Sequence, residues 1–163
     1  ILFERYHVKL YNFFWRMASD KNTSEDLVQE VFLRILKYRQ TYTEGSKFTT
    51  WMYQVARNAH VDHLKKEKDE SYYHERQVDI PDDRFEPINA LVLQENIDLL
   101  GKALAMLPLR KREILVLSRF HDMKYSEIAD LMQCTIGQVK VTLHRSLKEL
   151  QKIFTDLKGG IPS

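Results

Sequence analysis

Cysteine is almost absent. The lone Cys134 excludes an intrachain disulfide and a cysteine-rich zinc site, and fits a chain kept in a reducing cytoplasm. Glycine and proline are scarce, five and four in 163 residues, so few positions can break a helix. No apolar run approaches the ~20 residues that span a bilayer, and no signal-peptide pattern is visible, so the chain itself is expected to make no membrane contact. The chain opens at Ile1 inside an apolar–aromatic helical pattern with no Met, and the natural N-terminus is expected further upstream. An excess of one charge is missing too: 25 Lys and Arg against 23 Asp and Glu give only +2.

The distribution of charge is more informative than its sum. Residues 1–68 hold 12 basic against 8 acidic side chains, residues 69–93 hold 2 against 7, and residues 94–163 hold 11 against 8. A basic–acidic–basic order implies two anion-facing modules on an acidic connector. The apolar period is helical nearly throughout. Leu2, Tyr6, Leu10, Phe13, Phe14 and Met17 form one stripe. After a break at Ser19–Asn22, Thr23 is the expected N-cap, with Glu25 and Asp26 in the first turn. Leu27, Val31 and Ile35 carry the second helix to about Arg39. A polar loop at Gln40–Lys47 precedes a helix from Phe48 to about Lys66, whose buried stripe is Phe48, Trp51, Met52, Val55, Ala56 and Ala59. Residues 69–87 lose the period and hold Pro81, Asp82, Asp83 and Pro87. The pattern restarts near Ile88 with Leu91, Ile97, Leu100, Leu104 and Leu107, and again after Pro108 with Ile114, Leu115 and Leu117. The expected fold is all-α: two small helical domains, 1–68 and 94–158, on a flexible acidic linker, 69–93.

Residues 125–150, YSEIADLMQCTIGQVKVTLHRSLKEL, have the layout of a helix-turn-helix. The first segment buries Ile128, Ala129, Leu131 and Met132, and the small Ala129 lets a second helix cross closely. Cys134–Thr135 supplies the turn. Thr135 and Gln138 fit a capping box that fixes where the second helix starts. Ile136, Val139 and Leu143 are expected inside. Gln138, Lys140, Val141, Thr142, His144, Arg145 and Lys148 are left outside, a face suited to base edges first and phosphates later. Taken alone, the same face also fits a solvated helical hairpin.

At S-E-I-A-D-L-M followed by I-G-Q-V-K-V-T-L-H-R, the chain resembles the promoter-binding domain of bacterial extracytoplasmic-function (group 4) RNA polymerase sigma factors. Glu25–Arg34, EDLVQEVFLR, and Phe48–Asn58, FTTWMYQVARN, resemble the same family's polymerase-binding and minus-10 segments. The resemblance implies an alternative sigma factor that binds core RNA polymerase and promoter DNA, with no cofactor and no enzymatic activity. By position it places Asp26, Gln29, Glu30, Leu33, Arg34 and Lys37 on the clamp helices of the polymerase's largest subunit. It places Thr41, Tyr42, Lys47, Tyr53, Arg57, Asn58 and Lys65 on minus-10 DNA, and Tyr125 with the outer residues of the second helix on minus-35 DNA. It further implies a contact of the C-terminal domain with the flap of the second-largest subunit, a linker threaded toward the active-site and RNA-exit channels, and an anti-sigma partner. Departures fall at Lys124, where a Ser cap is usual, at Ser118, and at Val141 and Thr142, where Ser and Arg are common. They leave the minus-35 sequence undetermined.

Two other classes compete. A stand-alone LuxR-type regulator would explain the helix-turn-helix but not residues 23–58. A metalloenzyme using His60, Asp62 and His63 lacks an accompanying catalytic carboxylate or Gly-rich loop. Cys134 is read as a small apolar turn residue, with a redox sensor as the alternative.

Overall fold

The computed structural model describes residues 2–43, 45, 47–70 and 88–159. Seven α-helices lie in that portion: α1 (Leu2–Ala18), α2 (Lys21–Tyr38), α3 (Phe48–Glu70), α4 (Ile88–Met106), α5 (Leu109–Arg119), α6 (Tyr125–Met132) and α7 (Ile136–Gly159), with a 3-10 turn at Arg39–Thr41 after α2. No strand occurs among the described residues, and no helix there is long and apolar enough to cross a membrane. The chain forms two compact units, one holding α2 and α3 with α1 up to Trp15, the other holding α4 to α7. The acidic stretch with Pro81, Asp82, Asp83 and Pro87 lies outside the described residues. Helix α3 runs through Glu70 and α4 opens at Ile88, so both ends of the expected 69–93 linker are helical.

Helix α2 starts one turn earlier than expected. Asp20, not Thr23, is its N-cap: the Thr23 N–H donates to Asp20 Oδ2 at 3.3 Å, and the Thr23 hydroxyl donates to the same oxygen. Ser19 turns the chain into the cap with φ +54°, leaving a break of only Ser19–Asp20. Buried Ser24 satisfies its hydroxyl on the Asp20 carbonyl at 2.7 Å, so a polar residue sits in the α2 seam without an orphan donor.

The core of the first unit comes from Leu10, Phe13 and Phe14 of α1, Leu27, Val28, Val31 and Ile35 of α2, and Met52, Ala56 and Ala59 of α3, all buried. Three expectations fail here. Leu2 is 45% exposed at the start of α1. Phe48, Trp51 and Val55 are half-buried, because their line on α3 runs along the edge of the Met52–Ala56–Ala59 seam. Tyr53 is only 3% exposed and meets Phe13 edge-on, ring centroids 5.7 Å apart.

In the second unit α7 packs against α4, α5 and α6. Five consecutive residues of α5, Glu113–Leu117, are buried, so this stretch of the helix is covered on all sides. Ile97 of α4 is 46% exposed, contrary to the stripe expected of it, while Leu99, Ala103, Leu104 and Leu107 take the inner positions. Arg112 closes the end of α4 by donating to the carbonyls of Ala105 (3.0 Å) and Leu107 (2.8 Å), a cation where the helix dipole is negative. Lys111 of α5 meets Glu149 of α7 at 2.6 Å.

Candidate nucleic-acid and partner interfaces

The turn between α6 and α7 is built as its residues dictate. Gln133 ends α6 in the left-handed region, φ +54°, and the Cys134 N–H donates to the Ala129 carbonyl at 2.9 Å. Lys124 opens α6 without a side-chain cap. Both arms of the capping box form: the Thr135 N–H donates to Gln138 Oε1 at 2.9 Å, and the Gln138 N–H donates to Thr135 Oγ1 at 3.0 Å. Val139, Leu143 and Ser146 then face inward, the Ser146 hydroxyl satisfied on the Thr142 carbonyl at 2.6 Å. Gln138, Lys140, Val141, His144, Arg145 and Lys148 are exposed, and Thr142 and Tyr125 are half-buried. Ile136 does not join the core; it stands 45% exposed at the helix start, ahead of the first inward position. Cys134 is half-buried in the turn.

On α2 the buried line Ser24–Leu27–Val28–Val31–Ile35 turns the opposite face outward. Asp26, Gln29, Leu33 and Lys37 lie there, exposed at spacings of three and four. Leu33 is 63% and Leu36 62% exposed, two apolar residues on the surface of α2. Glu30 and Arg34 are less available. Arg34 Nε meets Glu30 Oε1 at 2.8 Å and its Nη1 meets Asp62 Oδ2 of α3 at 3.0 Å. The hydrogen bond that Arg34 donates to Glu30, aided by Asp62, raises the guanidinium pKa above its ordinary value against the effect of burial. Arg34 therefore braces α2 on α3. A double-mutant cycle with Arg34→Ala and Asp62→Ala, read by urea denaturation, is expected to give a coupling of about 0.5–1 kcal/mol, at the low end because Asp62 is largely solvated. Additive losses would dissolve the brace.

Beside this brace an open groove of about 740 Å³ runs between the end of α2 and α3, lined by Arg34, Tyr38, Thr41, Trp51, Gln54, Val55, Arg57, Asn58, Val61, Asp62 and Lys65. It gathers four of the seven residues expected on minus-10 DNA: Thr41, Arg57, Asn58 and Lys65. Thr41 is held by donating its hydroxyl to the Tyr38 carbonyl at 2.7 Å. Lys47 is exposed but not part of the lining, and Tyr42 is half-buried. The Tyr42 ring packs on Phe48 (5.8 Å) and Trp51 (5.4 Å), so it stands against its neighbours and not free in solvent. Tyr53 cannot reach a ligand, which corrects its expected DNA contact: it faces the core, one position round the helix from the groove edge, and burial pushes its phenol up to about 12. Trp51, read from sequence as core, lines the groove together with Tyr38. Its membership in the 51–55–58 line, offset from the Met52–Ala56–Ala59 seam, was the available signal.

The competing metal reading fails on geometry. His60 is 1% exposed, His63 faces Glu67 at 3.3 Å, and Asp62 is taken by Arg34. Among the described residues no cluster of three metal-ligating side chains exists.

Two family descriptions match the chain in order: Sigma-70 region 2 over residues 2–70 and Sigma-70, region 4 over residues 97–150. SigX of Bacillus subtilis, an ECF RNA polymerase sigma factor, is 30% identical over 158 residues, covering 93% of this chain and 81% of SigX. The ECF RNA polymerase sigma factor SigF of Caulobacter vibrioides is 34% identical over 140 residues, 85% of this chain and 74% of SigF. Among solved structures, the sigma factor RpoE of Bartonella quintana, in complex with the anti-sigma factor NepR, shares the fold with a TM-score of 0.77 at 22% identity, covering 94% of both chains.

Proposed function

The chain belongs to the extracytoplasmic-function RNA polymerase sigma factors, and from that premise we propose how its surfaces divide the work of promoter-specific initiation. The exposed α2 face with Asp26, Gln29, Leu33 and Lys37 docks on the clamp helices of the polymerase's largest subunit. Acidic and amide groups around an exposed leucine suit a cationic helical partner with an apolar centre. The groove beside it takes minus-10 bases from the opened strand, with Trp51 for stacking, Asn58 for a base edge, and Arg57 and Lys65 for phosphates. Helix α7 enters the major groove of the minus-35 duplex. The chain carries out no covalent chemistry; polymerase supplies catalysis. Two domains joined by an acidic linker, membership of group 4, a cytoplasmic site of action and a flap contact by the second unit belong to the same proposal. So does an anti-sigma partner, for which RpoE offers a precedent in a protein of the same fold.

The observation that carries this reading is the order of two sigma segments on one chain, each with an exposed face of matching chemistry. A LuxR-type regulator leaves residues 2–70 unexplained. Run-off transcription with core polymerase on a genomic fragment library is the test. Discrete transcripts that depend on the chain are expected. Silence from every fragment, with the polymerase proven active through another sigma factor, would refute it.

A further inference from the structure

Val141 stands where an apolar side chain has least structural reason to be. At about 100° per residue, the buried Val139, Leu143 and Ser146 define the inner line of α7, and Val141 falls almost diametrically opposite. It is 50% exposed, with Gly137 one turn before it and Lys148 two turns after, flanked by His144 and Arg145. A β-branched residue gives up side-chain freedom in a helix and gains nothing from water there. Gly137 is equally unforced by packing. A Cβ at that position would meet only Thr135 Oγ1, at an ordinary 3.8 Å, yet glycine weakens a helix relative to alanine. Bare backbone and two methyl groups together make a flush apolar spot inside a cationic face. Beside it, Gln138 has its carbonyl oxygen engaged by the Thr135 N–H, so what it turns outward is its amide NH2, a donor.

We infer that the start of α7 reads a thymine through its 5-methyl group, seated on Val141 over Gly137, next to a base whose acceptor edge receives the Gln138 amide. Thymine is the one base that presents a methyl in the major groove, and purine N7, guanine O6 and thymine O4 are the acceptors within reach of a side-chain amide. Gly137 lets the helix settle close enough for a short side chain such as valine to touch the methyl. The inference rests on the duplex-reading role proposed for α7 and adds the chemistry that role selects.

The test uses full-length chain assembled with core polymerase. A duplex library, randomised upstream of a fixed opened minus-10 segment, is selected for binding. Each thymine of the preferred sequence is then replaced by deoxyuridine, which removes only the methyl. One replacement is expected to weaken binding about four-fold, the effect of one buried methyl group, and to have no effect on a Val141→Ala holoenzyme. Gln138→Glu keeps the cap acceptor but cannot donate, so it should lose discrimination at the neighbouring base with helix content unchanged. Gly137→Ala should raise thermal stability while lowering duplex affinity. A selected sequence in which no deoxyuridine matters, or one in which the loss persists unchanged in Val141→Ala, overturns the thymine inference alone. Failure to select any upstream sequence, with the same polymerase active through another sigma factor, overturns the duplex-reading role itself.

Discussion

Tyr53→Ala is expected to lower the stability of the first unit by about 3–5 kcal/mol, the range for deleting a large buried aromatic. The ring is 3% exposed and packed edge-on against Phe13, so its removal leaves a cavity that the α1–α3 seam cannot readily close. Urea denaturation of the full chain, followed by circular dichroism, measures the loss. The phenol provides a second readout. Burial pushes its pKa from 10.0 up to about 12. In the unfolded chain it ionises near pH 10 while the folded one keeps its proton. Its contribution to stability is therefore complete below pH 10 and is lost as pH rises toward about 12, at about 1.4 kcal/mol per pH unit within that window. Tyr53→Phe should remove this component of the alkaline slope. An alanine variant of native stability that failed only in opening promoters would return Tyr53 to the DNA-contacting set.

Arg145→Ala and Leu33→Arg are expected to break different steps. Loss of Arg145 from the outer face of α7 should weaken promoter binding by the holoenzyme by about 1–3 kcal/mol, five- to more than a hundred-fold, and leave polymerase affinity unchanged. Leu33 is 63% exposed on the α2 face, so replacing it cannot open a cavity. A cation there should lower polymerase affinity ten-fold or more if the leucine anchors the clamp contact, with the fold intact. Glu30 is a poorer probe of that face, because it also holds Arg34 and through it Asp62. Competition for core polymerase and footprinting separate the two defects. If both variants lose the same step, the division of labour between α2 and α7 is wrong.

The helical layout was legible because apolar spacing and capping chemistry agree. Thr135 and Gln138 announce the start of α7, and both arms of their box are made. Where two residues compete for one role the sequence was ambiguous. Asp20 and Thr23 are both competent caps, and only the three-dimensional path, with Ser19 in the left-handed region, selects Asp20. Edges of apolar stripes were the other weakness. Leu2, Ile97 and Ile136 keep the helical period but fall where no partner element covers them. Trp51 and Phe48 sit a step off the seam, while Tyr53, two residues after Trp51, is buried. A linear pattern gives the phase of a helix but not the width of the surface packed against it. Buried polar groups were not foreseen either. Ser24 and Ser146 satisfy themselves on carbonyls four residues earlier, which leaves no long-range signature, and His60 and Glu113 are buried as well.

Helix α7 interleaves two alphabets on one rod: Val139, Leu143 and Ser146 are buried in the second unit, while Val141, Arg145 and Lys148 between them are exposed. On the duplex-reading role proposed for α7, target preference is thus a replaceable part. The outer letters can be rewritten without disturbing the inner ones, so a single scaffold can seed many mutually insulated genetic circuits. Slipping the sequence forward by one residue would rotate it by about 100° and put Gln138 and Arg145 at the buried positions of Val139 and Ser146. Substitution, and not insertion, is the route by which such a helix diversifies.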